Sequence, residues 1–147
     1  MRALLTLLCG LFLTSIAPAA APAASSAPAA SSTGSPSSST ALPGDPARGR
    51  LLFAPCRTCH YPEKGFGHHN GPGLYSIFGR QAGTQEGFPY YSEALKRSQL
   101  VWSPALLDSW LANPRGFLPG TSMMFVGIPD ARDRADLIAY LAQFADH

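Results

Sequence analysis

The chain has 147 residues, which leaves room for one folded domain after an N-terminal leader. Its 11 lysine and arginine residues nearly balance its 9 aspartate and glutamate residues, giving a formal net charge of +2. This balance, with no visible cluster of basic residues, excludes the basic surface on which nucleic-acid binding depends.

Residues 1–21 are predicted to be a secretory signal peptide. Arg2 precedes an apolar run from Ala3 to Ile16, and small residues of the A-x-A type follow. The run is shorter than the roughly 20 apolar residues that a transmembrane helix needs. An uncleaved N-terminal anchor is the alternative, and it would be the only route to a membrane. Cys9 lies within the run, and we expect it to be removed with the leader.

Residues 22–42 are predicted to form a disordered linker. They are almost entirely alanine, proline, serine and threonine, without a charged or aromatic residue. Such a composition buries too little apolar surface to offset the entropy lost on ordering. The linker is either a tether that spaces the domain from a membrane or a spacer left after cleavage. The folded domain then covers residues 43–147.

The folded domain is predicted to be all-α, with three to five helices. Asp45 is a suitable N-cap and Pro46 fits the first helical position, so a first helix is expected to run to about Cys59. Glycine and proline between Tyr61 and Pro89 indicate loops. Further helices are predicted from capping residues and apolar periodicity at 92–97, at 104–111 and after Asp130.

A cysteine motif carries the chemistry of this domain. Its two cysteines lie in the segment Cys56-Arg57-Thr58-Cys59-His60, and C-x-x-C-H is the attachment signature of c-type haem. A helical turn brings both thiols to the two vinyl groups on one edge of a porphyrin. The next side chain, His60, then lies under the iron as a neutral imidazole ligand. We therefore predict one covalently bound haem c with its iron.

Three other uses of the cysteines fit the sequence less well. A redox-active C-x-x-C favours a βαβ context, which the glycine- and proline-rich segments downstream do not indicate. Zinc would require a second ligand pair at metal spacing, and His68-His69 matches no common pattern. A disulfide bond is possible in a secreted protein, but it would leave His60 unexplained.

The second axial ligand of the iron has several candidates in the sequence. Met123 lies in a loop that starts at Pro119 and Gly120, where a methionine is less readily explained as ordinary core. Ligation by histidine and methionine would raise the reduction potential and close the iron to small molecules. The other candidates are Met124, His68, His69 and His147.

Several motifs, in order along the chain, resemble the mitochondrial-type (class I) cytochrome c family. They extend from about Gly44 to Leu141, and they are GDPARG at 44–49, CRTCH at 56–60, GPGL at 71–74, FGR at 78–80, PGTSM at 119–123, FVGI at 125–128 and RADLIAYL at 134–141. The resemblance implies the class I cytochrome c fold, in which the helices wrap around one haem. It also implies that the first and last helices cross at Gly49.

The resemblance also assigns roles to individual residues. It implies Met123 as the second iron ligand and the carbonyl of Pro72 as the hydrogen-bond partner of the ligating histidine. It places Trp110 near the methionine sulfur, where the family usually has a tyrosine, so the strength of the methionine–iron bond is open. The residues implied to surround the haem propionates are Arg80, Tyr90, Trp102 and Thr121.

A family member of this kind is expected to be a one-electron carrier and not an enzyme. The resemblance implies a bacterial protein that is a monomer and binds no nucleic acid. Both the resemblance and the leader indicate the periplasm. Its donor would be a dehydrogenase or a quinol-oxidising complex, and its acceptor a terminal oxidase or another cytochrome. The alternatives are an open-iron haem protein, such as a peroxidase-like enzyme or a gas sensor, and a tethered haem subunit of a larger oxidoreductase.

The charge around the expected haem edge departs from that of the mitochondrial relatives, which carry a ring of lysines there. This chain has only Lys64 and Lys96, while Ser122 and Gly116 occupy positions that are usually basic; Arg115 is retained. We therefore expect an encounter with the redox partner that depends little on salt.

Overall fold

The computed structural model describes residues 43–146. The predicted signal peptide and linker, Cys9 among them, and the final residue His147 lie outside these residues. Within residues 43–146, the secondary structure is helical apart from one isolated antiparallel bridge between Gln81 and Val101, which confirms the predicted all-α class. The helices are α1 (Pro46–Leu52), α2 (Glu93–Arg97), α3 (Pro104–Ala112), α4 (Pro114–Phe117) and α5 (Ala131–Leu141).

Helix α1 begins as predicted but ends earlier. The carboxylate of Asp45 accepts hydrogen bonds from the first backbone N–H groups of the helix. The helix does not continue to Cys59, so that part of the prediction was wrong. Pro55 cannot donate a backbone hydrogen bond to the preceding turn, and the chain turns there. A separate 3-10 turn, Cys56–Thr58, carries the cysteine motif.

The middle helices also start at capping residues. Ser92 and Ser103 accept backbone hydrogen bonds at the starts of α2 and α3. Helix α4 was not predicted; the predicted helix in this region ended at residue 111. A proline also fits the first position of a new helix, and the side chain of Asn113 caps α4 by accepting from the N–H of Gly116 at 3.0 Å.

Helices α1 and α5 cross at very short range, as the resemblance implied. Gly49 is buried at the crossing, and a Cβ atom at this position would overlap the backbone carbonyl of Asp136 on α5. Beside it, Phe53 packs on Tyr140 with a ring-centroid distance of 5.5 Å, and Leu137 is fully buried. Only glycine permits this approach of the two backbones.

A buried carboxylate reinforces the same crossing. Asp136 on α5 is 0% exposed, and its Oδ1 accepts a hydrogen bond from the backbone N–H of Asp45 at 2.6 Å. Its Oδ2 lies 2.7 Å from the guanidinium of Arg48 on α1. Arg48 also pairs with Asp133 at 2.8 Å, on the more exposed part of α5. Charged and hydrogen-bonded contacts thus connect the start of α1 to α5.

Helix α5 is also tied to α3 and to the segment that precedes α5. Arg134 donates to the carboxylate of Asp108 on α3 at 2.7 Å and to the backbone carbonyl of Ile128 at 2.9 Å. The N–H of Ile128 donates in turn to the carbonyl of Leu111 at 2.8 Å. None of the helices within residues 43–146 is long and apolar enough to cross a membrane.

We predict that Asp136→Asn lowers the free energy of unfolding by about 1.5–3 kcal/mol, because the charged acceptor of a buried hydrogen bond is lost. Asp133→Asn is the matched control, since it removes an exposed carboxylate that pairs with the same Arg48. It should cost less than about 1 kcal/mol. Chemical denaturation followed by circular dichroism measures both, and equal losses would contradict the assigned role of Asp136.

Candidate functional site

A largely apolar cavity of about 310 Å³ lies between α1, α3, α5 and the loops. Its volume falls within the range of about 300–1,000 Å³ that is usual for ligand sites. Each of the three helices contributes buried apolar side chains to its wall. These side chains are Phe53 near the end of α1, Leu107, Trp110 and Leu111 on α3, and Leu137 and Leu141 on α5.

The cysteine motif forms part of the wall of this cavity. Cys56, Cys59 and His60 all line it, and the backbone N–H groups of Cys59 and His60 donate to the carbonyl of Cys56 at 3.0 and 2.9 Å. The two cysteines are free thiols and are not joined by a disulfide bond. Partial burial raises the pKa of Cys56, which favours the protonated thiol before a haem is attached.

His60 is held in one orientation and one protonation state. Its Nδ1 lies 2.7 Å from the carbonyl of Pro72, and a carbonyl can only accept, so Nδ1 carries the proton and Nε2 has a free lone pair. Partial burial lowers the pKa of the imidazole, and the hydrogen bond to Pro72 opposes this effect. A Cβ atom at the buried Gly71 would overlap the ring, so this glycine makes room for the histidine.

Met123 lies in the segment before α5 and lines the same cavity. It is partly buried and packs against the core, and its backbone N–H donates to the hydroxyl of Thr121 at 3.3 Å. The structure therefore brings a neutral imidazole, a thioether and two thiols to one cavity. Thr121 itself does not line the cavity; the other predicted site residues all do.

The predicted polar residues occupy different settings along the wall. Arg80 donates to the backbone carbonyls of Gly73, at 3.3 Å, and of Tyr75. Burial lowers the pKa of its guanidinium, which stays charged at neutral pH. Tyr90 reaches the cavity but is 76% exposed, whereas Trp102 is buried.

An aromatic cluster forms one side of the cavity. The indole of Trp110 meets that of Trp102 edge to face, with ring centroids 5.5 Å apart, and it meets Phe117 in the same way at 6.0 Å. Such pairs stabilise a core beyond the area they bury. Trp110 is thus held firmly by neighbours on two sides.

Among the residues of the site that the sequence did not predict, Tyr91 and Gly71 stand next to predicted members. Tyr91 is partly buried, lines the cavity and packs edge to face on Phe88 at 4.9 Å; nothing in the local sequence separates it from the neighbouring Tyr90. Gly71 gives His60 its space, and the Gly71-Pro72 dipeptide was a signal that could have revealed it.

The adjacent histidines do not belong to the lining of the cavity. His68 contacts the carbonyl of Glu86 at 2.8 Å through Nε2 and accepts from the N–H of Gly73 at 3.0 Å through Nδ1. It therefore braces a loop through backbone hydrogen bonds. His69 is exposed and donates from Nδ1 to the carbonyl of Thr58 at 2.7 Å.

Comparison with known proteins supplies the family. No family model matches the chain. Cytochrome c of Ginkgo biloba is 44% identical over 106 residues, which are 71% of this chain and 93% of that protein. Cytochrome c2 of Rhodomicrobium vannielii is 42% identical over 106 residues, 72% of this chain and 84% of that protein.

The solved structure of cytochrome cH from Methylobacterium extorquens is also similar. It is 42% identical, has a TM-score of 0.63, and matches over 68% of this chain and 99% of its own length. Since relatives above 40% identity are covered over most of their length, the chain belongs to the cytochrome c family: it is a single-haem electron carrier with one covalently bound haem c, not an enzyme.

Proposed function

We propose that Cys56 and Cys59 hold the haem through thioether bonds and that His60 and Met123 are the two axial ligands of its iron. The observation that carries this proposal is the meeting of these four side chains in one cavity. The proposal covers the residue roles, the cellular setting and the redox partners of the carrier.

The residues present fit a covalent haem. Both thiols are free to react with vinyl groups, and Nε2 of His60 has the lone pair that iron requires. The carbonyl of Pro72 fixes the tautomer, as outer partners of metal-binding histidines commonly do. The apolar wall suits a porphyrin face, and Arg80 offers a positive charge to a buried carboxylate.

When bound, the haem supplies a ferric/ferrous couple that accepts or gives one electron. The protein residues around it would prevent proton transfer and ligand exchange from accompanying the electron transfer. His60 would stay neutral before and after, because its Nδ1 keeps the single ring proton and donates it in a hydrogen bond to the carbonyl of Pro72. Met123, as the second ligand of the iron, would keep small molecules from it, and the largely apolar wall would limit the access of water. With no proton to move and no ligand to exchange, the site favours simple electron transfer.

We place the carrier in the periplasm of a bacterium, on the support of the signal-peptide pattern in residues 1–21. Its donor is a dehydrogenase or a quinol-oxidising complex, and its acceptor is a terminal oxidase or another cytochrome. The protein acts as a monomer. Its encounters with redox partners are small and transient.

The surface charges support an encounter that depends little on salt. Both lysines of the chain are paired with carboxylates: Lys64 with Asp146 at 2.6 Å and Lys96 with Glu93 at 3.0 Å. Pairing neutralises each cation locally and weakens its long-range field. The arrangement is unlike a ring of free lysines that would steer an acidic partner.

We predict that Met123→Ala abolishes the weak long-wavelength absorption band of a methionine-bound ferric haem, because the thioether ligand is removed. Met124→Ala is the matched control: its side chain is 85% exposed, and the band should persist. The absorption spectrum of the oxidised holoprotein measures both. Absence of the band from the wild type, with ready binding of carbon monoxide after reduction, would favour the open-iron alternative instead.

We also predict that the rate of electron transfer from the reduced protein to membranes of its source organism depends weakly on salt concentration. Raising the ionic strength from about 0.01 M to about 0.1 M shortens the Debye length from about 30 to about 10 Å. The second-order rate constant, measured by stopped-flow absorption, should change by less than about threefold, because paired charges steer little. A fall of about tenfold or more would show a strongly steered encounter and contradict this expectation.

A further inference from the structure

The segment that carries Met123 is joined to the end of α3 shortly after this methionine. The backbone N–H of Ile128 donates to the carbonyl of Leu111 at 2.8 Å. Gly127 has a φ of 107°, and a Cβ atom there would overlap the backbone carbonyl of Ala112. Only glycine combines this backbone conformation with so close an approach. The segment therefore ends in direct contact with the backbone of α3.

Arg134 on α5 binds the same end of the segment from the other side. Its Nη1 donates to the carbonyl of Ile128 at 2.9 Å and to the carbonyl of Pro129 at 2.8 Å. The side chain of Arg134 is only 12% exposed, so water has little access to these hydrogen bonds. Ile128 is thus bonded through its N–H to α3 and through its carbonyl to α5.

Asp108 on α3 orients the guanidinium of Arg134. Its Oδ1 accepts from Nε at 2.7 Å, and its Oδ2 lies 3.4 Å from Nη2. A carboxylate that meets two nitrogens of a guanidinium fixes the plane of that group as well as its position. The guanidinium can then present Nη1 to the two backbone carbonyls. Asp108 therefore acts on the segment through Arg134.

The opposite end of the segment is held by longer hydrogen bonds. The N–H of Thr121 donates to the carbonyl of Leu118 at 3.2 Å, and the N–H of Met123 donates to the hydroxyl of Thr121 at 3.3 Å. Each is a bond between neutral groups, and such bonds are weaker than those made by a charged donor. The firmer attachment of Met123 is consequently the one that Arg134 and Asp108 make.

The position of this segment decides which of two adjacent methionines faces the cavity from within. Met123 is partly buried, whereas Met124 is 85% exposed. Adjacent side chains of an extended segment point to opposite sides, so a shift by one residue would exchange the two methionines. The hydrogen bonds on both sides of Ile128 oppose such a shift.

We propose that Asp108 is a positioning residue for Met123: by orienting Arg134, it fixes the segment so that the thioether stays at the second axial position of the iron. The inference rests on the proposed function, in which Met123 is that ligand. Without the carboxylate, Arg134 can turn away from the carbonyls of Ile128 and Pro129, and the segment then opens more often. Each opening withdraws the thioether and lets an external ligand take its place.

The test measures how readily imidazole displaces Met123 from the oxidised holoprotein. Imidazole can bind only after the thioether has left the iron, and loss of the long-wavelength band reports the exchange. Asp108→Ala removes the carboxylate and keeps a good helix former in α3, whereas Asp108→Glu keeps a carboxylate on a longer side chain. One control is Asp133→Asn, in an exposed ion pair of α5, and the other is Asp136→Asn, at the crossing of α1 and α5.

We expect Asp108→Ala to lower the imidazole concentration for half-displacement by about fivefold or more, because charged hydrogen bonds to the segment are lost. Both controls should change it by less than about twofold, and Asp108→Glu should recover part of the wild-type value. The backbone N–H of Ile128 should also exchange with deuterium about fivefold faster in Asp108→Ala, since its bond to Leu111 breaks when the segment opens.

Three outcomes would contradict the proposal. An unchanged displacement in Asp108→Ala, with the band present in the wild type, overturns the positioning role and leaves the proposed function standing. An equal effect in Asp136→Asn shows a general loss of stability and overturns the positioning role in the same way. Absence of the band from the wild type overturns ligation by Met123 and the positioning role together.

Discussion

The close crossing of α1 and α5 at Gly49 is the contact on which the rest of this structure depends. The two backbones touch there, and the buried carboxylate of Asp136 fixes them through the N–H of Asp45. The chain leaves α1 directly into the turn that carries Cys56–His60, and it enters α5 directly from the segment that carries Met123. One helix crossing thus positions both sides of the cavity that we propose for the haem.

The second constraint concerns the polar groups beside the apolar cavity. Each needs a hydrogen-bond partner, and none should gain or lose a proton when the electron is exchanged. The carbonyl of Pro72 accepts a hydrogen bond from Nδ1 of His60, and backbone carbonyls accept hydrogen bonds from the guanidinium of Arg80. Around the mouth of the cavity, Met124 is exposed beside the guanidinium of Arg115. Both lysines of the chain are paired with carboxylates, which suits an encounter that depends little on salt.

Local rules predicted much of this architecture from sequence. Asp45, Ser92 and Asp130 were recognisable caps, since their side chains can satisfy the first N–H groups of a helix whatever the surroundings. The C-x-x-C-H motif and the ordered family motifs predicted the candidate site, whose residues line one cavity apart from Thr121. What sequence missed depends on tertiary contact: the early end of α1 before Pro55, helix α4, and the choice between Tyr90 and Tyr91 as the inner ring. The contact between Arg115 and Met124 likewise arises only when α4 meets the segment before α5.

Covalent attachment of the haem to Cys56 and Cys59 would complete the core that forms around the crossing of α1 and α5. The most direct measurement is the intact mass of the protein under denaturing conditions, after expression with haem-attachment machinery. We expect the wild-type mass to equal that of the chain plus one haem. When both cysteines are changed to serine, we expect no haem to be retained. A wild-type mass without haem, or haem retained by the double variant, would contradict it.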